Sequence, residues 1–317
     1  MPDSRPRIGI SACLLGQQVR FDGGHKHDRS ITDTLGQHLE YVPVCPELET
    51  GMGVPRETIR LVGDPAAPRL VGVHSGKDWT DAMRAFAQRR VAGLQAKDLC
   101  GYILKKDSPS CGMDRVRVYG KGGAPSRNGR GLFAAALLDG MPLLPVEEEG
   151  RLNDPVLREC FIERIFAYRR WKDLLASRPG RGALVAFHAR HKYLLLAHSE
   201  PHLRRLGVVV AGAAARPLAQ VLDDYGRIFM EALAVHATPK RNANVLQHAS
   251  GFFSDRISAG DRAELQEAID DHRRGIVPLL VPLALVRHYA RAFAIRYLLD
   301  QVFFQPHPKE LMLRNHV

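Results

Sequence analysis

Long apolar runs, closely spaced cysteines and a secretory leader are what this sequence lacks. No stretch of its 317 residues approaches the roughly twenty consecutive apolar residues that span a bilayer, which argues against an integral membrane protein. The opening MPDSRPRIGISACLLG has no basic region followed by a long apolar stretch and a small-residue cleavage site, so the expected address is cytoplasmic. Cysteine is sparse: Cys13, Cys45, Cys100, Cys111 and Cys160, an odd number spread along the chain. That usage does not suit a disulfide framework, and in a reducing compartment each thiol is either a small buried hydrophobe or a site of chemistry. No two of them form a C-x-x-C pair, which speaks against a zinc ribbon. Neither an internal repeat nor a low-complexity tract is present. With 45% hydrophobic and 25% charged residues the chain is not disordered or collagen-like.

What the sequence does have is length for two domains and an uneven positive charge. Of the formal net charge of +11, residues 1–150 hold little, with 20 Lys/Arg against 18 Asp/Glu. Residues 151–317 carry 25 against 16, and within residues 151–192 the balance is 10 against 4. A one-sided basic excess suggests a polyanionic partner, and inside a cell nucleic acid is the first candidate; solvated Arg-rich helices are the plainer explanation.

The first half alternates strand and helix signals. RIGISACLLG is a short apolar run ending in small residues, as a buried strand entering a loop does. HLEYVPVCPELETGMGVP repeats that logic, with a strand at Tyr41–Val44 followed by a Cys-Pro-Glu turn and a glycine-rich loop. WTDAMRAFAQRRVAGLQAKDLCG reads as a helix with Thr80 at its N-cap, Cys100 at its close and Gly101 just past its end. A strand at Tyr102–Lys105, a Ser/Pro/Gly loop, a charged glycine-rich stretch, a short helix in GLFAAALLDG and a strand in MPLLPVEEEG complete this half. The pattern predicts an α/β domain over residues 1–150 with a mainly parallel, Rossmann-like sheet, whose ligands lie outside the carboxyl ends of the strands. From Leu152 the alternation gives way to helical spacing, as in NDPVLRECFIERIFAYRRWKDLLA with Pro155 near a helix start. Residues 151–317 therefore read as an all-α domain.

Three cysteines share a context: Cys13 in SACLLG, Cys45 in VCPE and Cys111 in SPSCG each follow a strand. In a parallel sheet strand ends converge on one crevice, so the three thiols are candidates for a shared metal. Spacing alone leaves iron–sulfur, zinc and no metal open. Cys100, at a helix end, and Cys160, on a helix among Phe161, Ile162 and Ile165, are not candidates. Glu47, two residues after Cys45, is the candidate general acid/base, with a loop carboxylate capping amides as the alternative. Ser108 and Ser110 beside Cys111 have hydroxyls able to position a base or a water. Asp22 in RFDGG either orients substrate or closes the turn before Gly23 and Gly24, and Lys105 and Lys106 are candidates to meet a phosphate. His25 and His27 lack companions for a ligand set.

The motifs SACLLG with RFDGG, VCPELETGMGVPRE and KKDSPSCG, in this order over about residues 5–150, resemble the thiouracil desulfurase (TudS) family. The resemblance implies that Cys13, Cys45 and Cys111 hold a 4Fe–4S cluster with one open iron. It also implies a role for Glu47, favours Ser108 over Ser110, and implies non-redox replacement of a thiocarbonyl sulfur by water. HARHKYLLLAH, NVLQHASGFF and LVPLALVRHYA, over about residues 155–310, look like the YbgA-like domain. The fusion resembles the RudS group of bacterial desulfidases, which implies 4-thiouridine in tRNA as substrate; free thiouracil or 4-thiouridine monophosphate is the alternative. The candidate phosphate contacts are Arg169, Arg170, Lys172, Arg190, Lys192, Lys240 and Arg241, whereas His191, His198 and His248 read as polar groups bonded between helices.

Overall fold

The computed structural model describes residues 5–120 and 124–316. The chain forms two compact units, Met1–Asn153 and Asp154–Val317. Among the described residues no helix is long and apolar enough to cross a membrane.

The first unit is built on a four-stranded parallel sheet. Its strands are β1 (Arg7–Ser11), β2 (Glu40–Val44), β5 (Leu99–Leu104) and β8 (Val146–Glu148), in the order β2-β1-β5-β8. All six residues of β5 are buried, as expected of a central strand covered on both faces. A second sheet, in the order β4-β3-β6-β7, joins β3 (Ile59–Val62), β4 (Arg69–Gly72), β6 (Val116–Tyr119) and β7 (Ser126–Gly129). In the sequence β6 and β7 read only as a charged, glycine-rich stretch, and β3 and β4 are not marked. All four strands are four residues long, and three of the four residues of Ser-Arg-Asn-Gly in β7 are exposed, so no apolar period marks β7.

Three helices complete the unit: α1 (Pro46–Glu49), α2 (Thr80–Gln95) and α3 (Leu132–Gly140). Phe86 of α2, Phe133 of α3 and Tyr102 of β5 stack in sequence, with ring centroids 6.3 and 5.9 Å apart. Tyr102 also explains Gly9 on β1, where a Cβ would lie 2.2 Å from its ring. The boundaries of α2 correct the sequence reading. The N-cap is Trp79, while Thr80 Oγ1 accepts a hydrogen bond from Leu70 N at 2.8 Å. The helix ends at Gln95 and the chain reverses at Asp98, which takes φ 55°. Asp tolerates that left-handed conformation, so the break comes before Gly101. Cys100 and Gly101 consequently lie inside β5 and not at a helix end, and the strand expected at Tyr102–Lys105 runs from Leu99 to Leu104.

The second unit is helical: α4 (Pro155–Ala176), α5 (Arg181–His198), α6 (Glu200–Ala211), α7 (Leu218–Ala234), α8 (Pro239–Ser250), α9 (Ala259–Arg273), α10 (Leu280–Ala292) and α11 (Arg296–Leu299). α4 starts as its sequence dictates, with Asp154 Oδ1 accepting from Val156 N and Leu157 N and Pro155 at the first helical position. The core is aromatic. Trp171 packs against Phe187 and Tyr225 at 5.4 and 5.3 Å, and His191 stacks on Phe187 at 3.9 Å. Beside it lies a buried ionic network. Glu163 accepts from Arg314 Nη2 at 2.5 Å and pairs with His198 at 3.0 Å, and Glu159 pairs with Arg314 at 3.2 Å and His316 at 2.7 Å.

Two stability predictions follow from these groups. Breaking a buried ion pair from one side leaves a charge uncompensated, so Arg314→Met should destabilise the helical unit by about 3–5 kcal/mol. Urea unfolding read by Trp171 fluorescence in a Trp79→Phe background measures it. Burial and the charge of Arg170 lower the His191 pKa to about 3, so the folded unit binds its proton only far below the unfolded value of 6.5. Between those values the unfolded chain holds more protons, and stability falls as pH falls, by about 3 kcal/mol at pH 4. The same titration on His191→Leu should show a shallower acid limb.

Candidate active site

Strands β2, β1 and β5 are adjacent and parallel, so their carboxyl ends lie side by side, and each leads directly into a cysteine-bearing segment. After β1 the chain makes a 3-10 turn over Ala12–Leu15 that carries Cys13 and closes at Gly16, where φ is 85°. After β2, Cys45 caps α1 and its N–H donates to Glu49 Oε1 at 3.0 Å. Arg90 on α2 holds the other oxygen of Glu49 at 3.1 Å, so the Cys-Pro-Glu turn is fixed from both sides.

After β5 comes the Ser-Pro-Ser-Cys loop. Ser108 Oγ accepts from Cys111 N at 3.1 Å, and Gly112 N donates to Ser108 O at 2.8 Å. The first N–H groups of α3, which have no partner inside the helix, donate back into this loop: Phe133 N to Ser110 O at 3.0 Å and Ala134 N to Ser110 O at 3.1 Å. The contact is so close that a Cβ at Gly131 would fall 2.5 Å from the Ser110 carbonyl. The helix start thus clamps the segment that carries Cys111.

Cys13, Cys45 and Cys111 line one cavity of about 350 Å³, together with Glu47, Arg56, Lys105 and Ser108. All three thiols are free of disulfides. Burial pushes the Cys13 thiol up to about 11, and a charge on Cys45 adds to the rise while Lys105 opposes it. Cys45 is raised by burial and by Glu47. Cys111, the most enclosed, is raised furthest, by burial and then by the charges of Glu47 and Cys13. As bare thiols the three are therefore protonated at neutral pH. Among the described residues no three His, Cys, Asp or Glu side chains are arranged to hold a metal ion, so His25 and His27 belong to no ligand set. His27 Nε2 bonds Thr32 Oγ1 at 3.0 Å instead.

Glu47 sits at the centre of a hydrogen-bonded relay. Its carboxylate accepts from Ser110 Oγ at 2.7 Å, while Ser108 Oγ is at 3.5 Å and 3.0 Å from Ser110 Oγ. The nearer partner of the carboxylate is thus Ser110, with Ser108 one bond further along and on the cavity wall. On its other side Glu47 is ion-paired with Arg56, a residue that sequence analysis did not single out. Arg56 is 5% exposed at its side chain, donates to Val19 O at 3.0 Å and Gly53 O at 2.8 Å, and so cannot swing away without losing three partners. Val19 O also receives the Cys45 thiol at 3.7 Å. Arg56 lies nine residues from Glu47 across a loop turned by Gly51 and Gly53, with φ of 92° and 76°. No spacing rule connects the two; the Arg inside the VCPELETGMGVPRE motif was the only trace of it.

Lys105 has its ammonium ion-paired with Glu149 at the cavity wall, and its backbone N–H donates to Ser11 Oγ at 3.0 Å. Asp22 closes its turn, accepting from Gly24 N at 3.0 Å, and is not among the residues lining the cavity. In the helical unit Arg170 is half-buried and donates to Pro306 O, Arg169 pairs with Asp173 at 2.8 Å, and Lys172 lies over the Tyr168 ring at 5.4 Å. Arg241 donates to His198 O at 2.8 Å and His236 O at 3.0 Å. Arg190, Lys192 and Lys240 are exposed, as is His248, while His191 and His198 are buried. Cys160 is buried, with its thiol 3.7 Å from Leu233 O.

A model of the 2-thiouracil desulfurase family matches residues 8–149, and a model of a protein family of unknown function, DUF1722, matches residues 192–308. Two curated bacterial relatives are matched over nearly their whole lengths. The uncharacterized protein YbgA of Escherichia coli is 36% identical over 156 residues, covering 48% of this chain and 90% of its own. The uncharacterized protein YbbK of Bacillus subtilis is 30% identical over 152 residues, covering 46% of this chain and 98% of its own. Among solved structures, the [4Fe-4S]-dependent thiouracil desulfidase TudS is 31% identical, covers 47% of this chain and 95% of its own, and gives a TM-score of 0.40. The chain belongs to the 2-thiouracil desulfurase family, with a DUF1722 domain of the kind related to YbgA joined to it.

Proposed function

We propose that the protein is an iron–sulfur desulfidase acting on 4-thiouridine in tRNA. In the overall reaction water oxygen replaces the thiocarbonyl sulfur, the C–S bond breaks, and uridine and hydrosulfide leave with no net electron transfer. The observation that carries the reading is the arrival of Cys13, Cys45 and Cys111, with Glu47, at one cavity across three neighbouring strand ends. Three soft sulfur donors suit a 4Fe–4S cluster. A mononuclear zinc site would need its ligands gathered about 2.0–2.3 Å from one point, whereas a cluster takes each thiolate at a separate corner. Held by these three thiolates, such a cluster would supply a thiophilic, Lewis-acidic iron that has no protein ligand of its own.

The chain's own groups account for the rest. Glu47 takes a proton from the attacking water and returns it to the departing side, a role that contributes about 10²–10⁴-fold in rate. Arg56 and Ser110 hold the carboxylate in one orientation, and the Ser108 hydroxyl extends the relay to the cavity wall. An unstacked base would enter the same cavity that the three thiols line. The basic helical unit would grip the phosphates of the RNA, offsetting the cost of unstacking. A second reading, desulfuration of a free thiolated base or nucleotide, is favoured by the family's own substrate, 2-thiouracil.

Nucleoside analysis of tRNA from cells with and without the protein decides between them. The RNA reading expects 4-thiouridine to fall and uridine to rise on expression. An unchanged 4-thiouridine level, with turnover of free 4-thiouridine monophosphate by the purified enzyme, establishes the second reading instead. Independently of substrate, Glu47→Gln should keep its iron and sulfide while losing about 10²–10⁴-fold in kcat. Arg56→Gln should lower kcat with cofactor content unchanged, and a variant with full activity at either position removes the acid/base assignment.

A further inference from the structure

Several arginines of the helical unit are ion-paired: Arg314 is held by Glu159 and Glu163, Arg227 by Asp224 and Glu231, Arg273 by Asp270 and Arg274 by Asp271. Arg287 and Arg291 on α10 are not. They stand four residues apart, hence one above the other on the same helix face, and among the described residues neither has a carboxylate within ion-pair distance. Like charges in that relation destabilise a helix by about 0.2–0.5 kcal/mol, so folding alone does not favour the arrangement.

Both arginines line a pocket of about 310 Å³. By the share of liquid volume that one water takes, that is room for roughly ten waters. Its other walls include the hydrocarbon surfaces of Leu298, Leu299 and Phe304 and the amide of Gln305, and no acidic residue lines it. Arg287 is half-buried and makes a single marginal contact, Nη2 to Gln305 Oε1 at 3.5 Å. Burial and the positive charges of Arg291 and Arg314 all bear against its charged form. Most of its five N–H donors are therefore left for a ligand. Two guanidinium forks side by side match the oxygens of a phosphate, and apolar walls favour a phosphate carried on an organic group over the bare ion.

We propose that Arg287 and Arg291 form a phosphodiester seat, in which one backbone phosphate of a bound RNA strand bridges the two guanidiniums and its sugar lies against Leu299 and Phe304. The inference rests on the RNA reading of the substrate and specifies where the strand is held. None of the seven basic residues nominated from sequence belongs to this pocket.

The test is fluorescence-polarisation binding of unmodified tRNA to the full chain across a range of salt concentrations. Arg287→Gln/Arg291→Gln should weaken binding at least tenfold at moderate salt and reduce the log–log salt slope by about one, the change expected for one lost phosphate contact. Arg291→Gln alone, at an exposed position, should show part of the loss with an unchanged thermal midpoint, and Arg204→Gln, on α6 and paired with Glu200 at 2.6 Å, should show none. Wild-type affinity and slope in the double variant overturn the seat while leaving the RNA reading in place. Competition by inorganic phosphate or uridine monophosphate at concentrations near those of tRNA overturns the choice of a nucleic-acid strand as ligand. A wild-type chain with no measurable tRNA binding overturns the RNA reading and the seat together.

Discussion

Three neutral thiols round a cavity are easily accommodated in a protein interior; three thiolates are not, unless positive charge lies among them. That constraint governs the first unit. Burial raises Cys13, Cys45 and Cys111 alike, and the charges of Cys45 and Cys13 penalise ionisation of Cys13 and Cys111 respectively. Lys105 and Arg56, two of the cations on the cavity wall, are committed to Glu149 and Glu47. A cluster held here would have to displace the protons of all three thiols. The parallel sheet brings the three segments together, and the amides at the start of α3 hold the most enclosed of them in place.

The same packing gives Glu47 a fixed environment. A carboxylate that hydrogen-bonds Ser110 on one side and meets Arg56 on the other cannot rotate freely. Arg56 is itself tied to two backbone carbonyls, one of which also receives the Cys45 thiol. Geometry at the carboxylate and geometry at the sulfur are thus coupled through Val19 O. Disturbing Arg56 reaches both, which is why a residue without direct chemistry belongs to the site.

Much of this was legible in the amino-acid order, for a physical reason. Strands buried on both faces are written as apolar runs, so β1 and β5 stood out, and the short run ending at Val44 marked β2, an edge strand that is only partly buried. The thiols at their ends could be grouped once the sheet was taken as parallel. The second sheet was not legible, because its strands are only four residues long, too short for the buried–exposed alternation of Val116, Arg117 and Val118 in β6 to stand out, and β7 is mostly exposed. Arg56 was missed because its partner is reached through a turn and not through a helical or strand repeat. Among the basic residues of the helical unit, composition marked Arg169, Arg170 and Arg241, whose donors tertiary structure spends on Asp173 and on backbone carbonyls. It passed over Arg287 and Arg291, which share a pocket with Leu298, Leu299 and Phe304 only once the chain is folded.

The central claim is that Cys13, Cys45 and Cys111 act as one ligand set and the other two thiols do not. Anaerobic purification of the five single Cys→Ala variants, followed by iron and acid-labile sulfide analysis per chain, tests it most directly. The account predicts that substitution of Cys13, Cys45 or Cys111 removes iron and sulfide together, while the Cys100 and Cys160 variants retain the wild-type content. A full complement in any of the first three, or an equal loss from Cys100→Ala or Cys160→Ala, would contradict it.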